Sequence, residues 1–239
     1  MFPRWSRCAL SASDSLTATP TILAFDCSQA HCAVALRCPN GSLLAETEEM
    51  TRGQAERLWP MIEAMLARGG VGYGDIDAIG VGIGPGSFTG IRLGVSAARG
   101  LALAIGKPAI GVSMFAVMAH GRTEGEMLIS LPGPVGSAYI QRFREQHAQG
   151  EAHQIAPENP PTDLHGFNGI EVIGWRAETI ARQIAASFQD AAPVDIPATI
   201  ARIALTRLKN GGDGSRPAPL YVRAADAAPS RLTPPPRIG

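Results

Sequence analysis

At 239 residues and 25.0 kDa, the chain is long enough for one large domain or two small ones that fold without disulfide or metal staples. Hydrophobic residues at 45% and charged residues at 18%, with 27 Gly and 19 Pro together below the roughly one-quarter share typical of low-complexity chains, exclude wholesale disorder. Lys plus Arg and Asp plus Glu balance at 21 each, which excludes a global field for indiscriminate nucleic-acid or membrane binding, so any RNA contact must be local or shared with a partner.

Residues 1–20 lack the apolar core of a secretory signal and are read as a disordered extension, with a weak organellar transit peptide as the alternative. Cys8, Cys27, Cys32 and Cys38 match neither a zinc ribbon nor a CxxC pair, so a reduced, cytoplasmic protein is expected. No apolar run reaches the roughly 18 to 20 residues of a membrane span. Order is expected from Thr21. The runs 22–28, 31–39 and 42–50, with Asn40-Gly41 between the last two, predict a three-stranded antiparallel meander. Leu58, Met61, Ile62, Met65 and Leu66 recur at helical spacing and predict an amphipathic helix over 54–68, with Pro60 in its first turn or at a kink.

A strand over 77–84, a helix over 91–106 and a strand over 108–113 form a crossover unit, so this part of the sheet should be parallel. Later signals are weaker: strands at 126–132, 137–143 and 170–175, helices at 178–189 and 197–209, and a loose tail after Arg223. The expected organisation is an N-terminal lobe over 21–118, a C-terminal lobe over 119–215 and a tail over 216–239. No internal repeat is visible. The last 39 residues carry seven basic and two acidic side chains, read as a solvated tail.

Chemistry concentrates in the run GPGSFTGIRLG from Gly84 to Gly94. Glycines between a strand and a helix offer positive φ and backbone N–H groups at a helix N-terminus, so Asp26, Gly84, Gly86, Ser87, Thr89 and Gly90 are a candidate nucleotide or anion site. Tight turns and close helix packing explain the same glycines equally well. No Gly-Lys-Ser/Thr follows, and neither a GxGxxG fingerprint nor a GxSxG elbow is present. The five histidines form no i, i+4 pair and no Cys joins them at ligand spacing, so no metal site is expected. Gly90, Gly94 and Ala98 recur every four residues, giving a face that another helix can approach closely.

The combination of ILAFDCS, QAERLWPMIEAML, DIDAIGVGIGPGSFTGIRLGVSAARGLALAIGKPAIGVS and the late PLYVRAADA resembles the TsaB (YeaZ) family, the dimerisation subunits of the bacterial tRNA threonylcarbamoyladenosine (t6A) machinery. The likeness is strong over residues 21 to about 120, weak in the middle, and returns at Pro219–Arg223. It implies an α/β, actin-like ATPase fold of two lobes, each a mixed sheet flanked by helices. It also implies pairing with a TsaD-like catalytic subunit through the helices at 54–68 and 91–106. A TsaE-like ATPase would join the complex, and threonylcarbamoyl would pass to N6 of adenosine 37 in tRNAs that read ANN codons. Alone, the chain would form a homodimer.

On this reading there are no catalytic residues. The partner interface is expected at Leu58, Met61, Ile62, Met65, Arg92, Gly94 and Ala98, with Gly94→Trp blocking it. No cofactor is assigned to the chain itself, and ATP or ADP belongs at or near the complex interface. Where the catalytic relative carries a metal-binding His-x-x-x-His, this chain has Met114 and Met118, whose thioethers are poor ligands for a hard or borderline cation. Three positions depart from the family pattern: Cys27 replaces a Thr after Asp26, Gly53-Gln54 replaces a His and a small hydroxyl residue, and LPGPVGSAYIQRF lacks an Asp-Ala-Arg segment. The competing expectations are a stand-alone ATPase or small-molecule kinase using Asp26 and the Gly84–Gly94 loop, and a peptidase, for which no nucleophile or metal pair is present.

Overall fold

The computed structural model describes residues 19–122, 125–161, 169–212 and 215–222. Two five-stranded sheets organise the chain. The first contains β1 (Ile22–Asp26), β2 (His31–Arg37), β3 (Leu43–Glu49), β4 (Ala78–Gly82) and β5 (Ala109–Val112) in the order β3-β2-β1-β4-β5. The meander β1-β2-β3 is antiparallel, and β4 and β5 join parallel to β1, as the crossover pattern predicts. β1 is buried along its whole length because helices cover both faces of the sheet, which is why ILAFD reads as a near-continuous apolar run. β3 is the edge and alternates: its half-buried Glu46 and Glu48, on the side of α1 (Gln54–Gly69), receive Arg68 (2.5 Å) and Arg57 (2.6 Å) from that helix.

The second sheet contains β6 (Glu126–Pro132), β7 (Ala138–Arg144), β8 (His147–Ile155), β9 (Glu171–Gly174) and β10 (Ser187–Gln189) in the order β8-β7-β6-β9-β10. It repeats the first sheet's topology strand for strand: an antiparallel meander, then two parallel strands. The two-lobe, mixed-sheet architecture implied by the family resemblance is thus the one observed. The repeat escaped the sequence because the lobes share backbone connectivity and not side chains; compare ILAFD in β1 with EMLISLP in β6.

Remaining helices fill the layers: α2 (Phe88–Ile105), α3 (Met114–Ala119), α4 (Ala177–Ile184) and α5 (Ile196–Lys209). One core lies between the first sheet and α1 and α2, a second on the opposite face with α3 and α5, and a third beneath α4. α5 packs across β1, β2 and β4, so a segment expected in the C-terminal lobe by sequence position belongs in space to the N-terminal one. Residues 187–189, expected as the end of a helix, form β10, and β8 and α3 were not anticipated. Pro60 lies inside α1, beyond its first turn, on an exposed side.

By length and mean hydropathy (1.3) α2 meets the measure of a membrane span, which counting uninterrupted apolar runs did not flag. Its Ile91, Val95 and Ala98 are buried against the sheet, so that apolar character serves the core. The extension expected at 1–20 lies outside the described residues except for Thr19 and Pro20. These are held by Arg37, whose Nη1 donates to Thr19 Oγ1 (2.7 Å) and to the Pro20 carbonyl (3.2 Å). Tail residues 216–222 are packed, with Leu220 N–H donating to Ile83 O at 2.8 Å; residues 223–239 lie outside the described set.

Candidate functional site

The turn from β1 into β2 meets the glycine-rich loop at the start of α2. Asp26 closes β1 and is fully buried. Its Oδ2 accepts hydrogen bonds from Ser28 N–H (3.0 Å), Ser28 Oγ (3.0 Å) and His31 Nε2 (2.7 Å), whereas Oδ1 has no hydrogen-bond partner. Oδ1 is pressed against Gly82, where an added Cβ would stand 1.8 Å away. Burial pulls the His31 imidazole down, but the hydrogen bond and charge of Asp26, helped by Glu49, outweigh it and raise its pKa above the usual 6.5. Cys27 is also buried, and its hydrogen bond to Cys32, then burial itself, push its thiol far above the ordinary range. Cys27 and Cys32 are free thiols.

The glycines of the loop face this turn. Gly84 adopts φ +95°, which favours glycine. An added Cβ would stand 2.0 Å from Ser28 O on Gly86 and 1.9 Å from Cys27 O on Gly90. Ser87 N–H donates to Ser28 O (2.7 Å), Gln29 Nε2 donates to Pro85 O (3.1 Å), and Ser87 Oγ caps α2 by accepting from Gly90 N–H (3.3 Å). A phosphate cradle needs backbone donors turned toward open space. Here Gly86 and Gly90 abut carbonyl oxygens, and Ser87 N–H is already bonded. Of the expected anion site of Asp26, Gly84, Gly86, Ser87, Thr89 and Gly90, the glycines Gly86 and Gly90 serve close packing of loop on turn, and the N–H groups of Ser87 and Gly90 are already bonded.

The repeat supplies a second test. β1 and β4 end with Asp26 beside Gly82, and the register of β6 with β9 sets Ser130 beside Gly174. The twin of Asp26 is thus a serine, whose Oγ donates to Trp175 O at 2.7 Å. The second lobe offers no carboxylate at this place. Met114 and Met118, on α3, are buried in the core next to it. Among the described residues, no group of three His, Cys, Asp or Glu side chains is placed to hold a metal ion.

The interface expectation is inverted by the structure. Leu58, Met61, Ile62 and Met65 are buried beneath α1, and Gly94 and Ala98 beneath α2. An added Cβ on Gly94 would touch Val81 Cγ2 at 3.5 Å, so Gly94→Trp would disrupt the helix–sheet core instead of testing a surface. The outward positions are Trp59, Glu63, Ala64 and Ala67 on α1 and Thr89, Arg92, Ser96 and Gly100 on α2; Arg92 alone of the expected set is exposed. α2 still offers a small-residue approach at Gly100, where an added Cβ meets nothing within 4 Å.

One exposed cluster was missed. The Arg92 guanidinium lies 3.7 Å from the Phe88 ring centroid, and its Nε donates to Tyr221 Oη at 2.8 Å, with the two rings 5.7 Å apart. It ties the C-terminal segment to the start of α2, and the PLYVR run was its sequence signal.

The family profile described as "TsaD: tRNA N6-adenosine threonylcarbamoyltransferase" matches residues 47–212. The chain is similar to the tRNA threonylcarbamoyladenosine biosynthesis protein TsaB of Escherichia coli K12, 33% identical over 65% of this chain and 72% of that one. It is likewise similar to TsaB of Haemophilus influenzae, 40% identical over 66% of this chain and 73% of the other. A Pseudomonas aeruginosa crystal structure of a protein with similarity to peptidase YeaZ superposes with TM-score 0.69 at 25% identity, covering 86% of this chain and all of that one. These matches agree with the strand order, the loop and the helices described above, and the chain belongs to the TsaB (YeaZ) family, within the wider family of tRNA N6-adenosine threonylcarbamoyltransferases.

Proposed function

We propose that this chain is a non-catalytic subunit that pairs with a TsaD-like transferase for threonylcarbamoyl transfer to N6 of adenosine 37 in ANN-decoding tRNAs. The observation that carries the reading is the state of the paired strand ends: Asp26 is sealed by Ser28, His31 and Gly82, and its twin is Ser130. A carboxylate with no route to a ligand cannot orient a metal-bound phosphate or take a proton from substrate. This weighs against the ATPase or kinase alternative. The relatives' names, which attach them to t6A biosynthesis, support the assignment of pathway.

The partner surface in this proposal is the outward side of α1 and α2, centred on Trp59, Ala64, Arg92, Ser96 and Gly100. Large aromatics and arginine beside small residues suit a closely approached interface. The same surface closes a homodimer when the chain is alone. A TsaE-like ATPase, ATP or ADP at the joint surface, tRNA held by the complex and a cytoplasmic location complete the reading.

The test is light scattering on a sizing column for the chain with the TsaD-like protein of the same source, with t6A formation read by nucleoside mass spectrometry. A heterodimer should form, Gly100→Trp should abolish it while leaving the circular dichroism spectrum unchanged, and the chain alone should make no t6A. ATP turnover by the isolated chain, lost in Asp26→Asn, would overturn the proposal.

A further inference from the structure

Beyond the ends of α2 and α5, the outer edge of β5 opens onto a cavity of about 1330 Å³. Four cations line it, Arg99, Lys107, Arg207 and Arg216, and no carboxylate is among its described lining residues. Leu103 and Ile110 give it an apolar wall, and Leu103 is left 85% exposed there.

Two of the cations have local structural work. Lys107 follows the carbonyl end of α2 and lies 3.4 Å from Asp77 Oδ1; Arg207, in the last turn of α5, donates to Gly111 O at 2.5 Å. Both offset the partial negative charge of a helix C-terminus. Arg99 and Arg216 do neither: each is exposed and neither makes an ion pair among the described residues. They are surplus positive charge in a chain whose total is zero.

We infer that this cavity is a binding site for the phosphodiester backbone of an RNA strand. Its volume exceeds the roughly 300 to 1,000 Å³ of an ordinary small-molecule pocket. Its cations come from separate segments, α2 and its end, α5, and the chain after α5, as a tracked backbone requires. No aromatic side chain is among the described lining residues, so the site is read as following phosphates without stacking bases. The choice of RNA among polyanions rests on the proposed function.

The experiment is fluorescence anisotropy of labelled bulk tRNA with the full chain from about 50 to about 200 mM salt. Binding should weaken steeply with salt. Arg99→Glu with Arg216→Glu should weaken it at least tenfold, and removing two phosphate contacts should flatten the log–log salt slope by about 1.8. Arg52→Glu with Arg182→Glu, which makes the same change in net charge elsewhere, should leave affinity within twofold. Absence of tRNA binding by the unmodified chain, an unchanged slope in the first double variant, or equal losses in the two would each overturn the site. Pairing with the transferase is read separately on the sizing column. Loss of that pairing with the tRNA result intact would reject the proposed function and keep the cavity.

Discussion

Three glycines on α2 allow one substitution to be placed in three environments. Replacing glycine by alanine in a helix interior gains about 1 kcal/mol from reduced backbone entropy in the unfolded chain and better propensity. At Gly100 nothing lies within 4 Å of the new Cβ, so Gly100→Ala should keep that gain. At Gly94 the methyl would reach Val81 Cγ2 at 3.5 Å, an ordinary contact, and Gly94→Ala should be neutral to slightly stabilising. At Gly90 the methyl would stand 1.9 Å from Cys27 O, more than 1 Å inside contact distance, and the obstacle is backbone. α2 must lift from the β1–β2 turn, straining Ser87 N–H to Ser28 O, and overpacking of this kind costs about 1 to 3 kcal/mol, exceeding a first-turn propensity gain. Thermal melts followed by circular dichroism should rank Gly100→Ala above the unmodified chain and Gly90→Ala below it, at about 2 to 4 °C per kcal/mol for a chain of this size. If Gly90→Ala matched or exceeded the unmodified chain, Gly90 would not be there for close packing of α2 on the β1–β2 turn.

Two further outcomes follow from the same turn. Because the His31 pKa is raised in the folded chain, its pairing with Asp26 stabilises fully below the unfolded value of about 6.5 and is lost as pH rises through the folded value. Melting temperatures from about pH 5.5 to 8.5 should therefore show the unmodified chain losing ground to His31→Gln as pH rises; a pH-independent difference would refute this. Cys27 and Cys32, buried and facing each other, should resist maleimide in the native chain and react when denaturant is added, read by intact mass. Labelling at native conditions would mean that the turn opens.

The first lobe was legible because its strands and helices carry strong, local periodicities: β1, β2, β3 and α1 each fall within three residues of their expected limits. β8 was not, because it is an almost wholly exposed edge strand, HAQGEAHQI, with no apolar alternation to read. Nor was α3, whose six residues are too few to show a helical period. The start of α2 was placed late because Ser87, Phe88 and Thr89 resemble loop residues, although Ser87 is its N-cap. The interface was inverted for a more general reason. Periodicity marks which side of a helix is buried and is silent on whether a partner or the chain's own sheet buries it. The Asp26–His31 pair was within reach: Ala33 is the register partner of Asp26, and strand alternation puts His31 on the same face as Ala33. The Arg92–Tyr221 contact joins residues 129 apart, so the PLYVR run marked the tail segment but not the residue it meets.

α5 has a consequence for how this protein is made. The face of the first sheet that displays Ile22, Ala24 and Ala78 is covered by a helix whose residues, 196–209, are synthesised long after β5 is complete. For most of translation, that sheet has one helical layer and one bare apolar side. A ribosome that stalls before residue 196 releases a chain that cannot close its core, and proteases will find it. Completeness is inspected by the fold itself: a chain ending at 195 should be digested under conditions that the full chain survives.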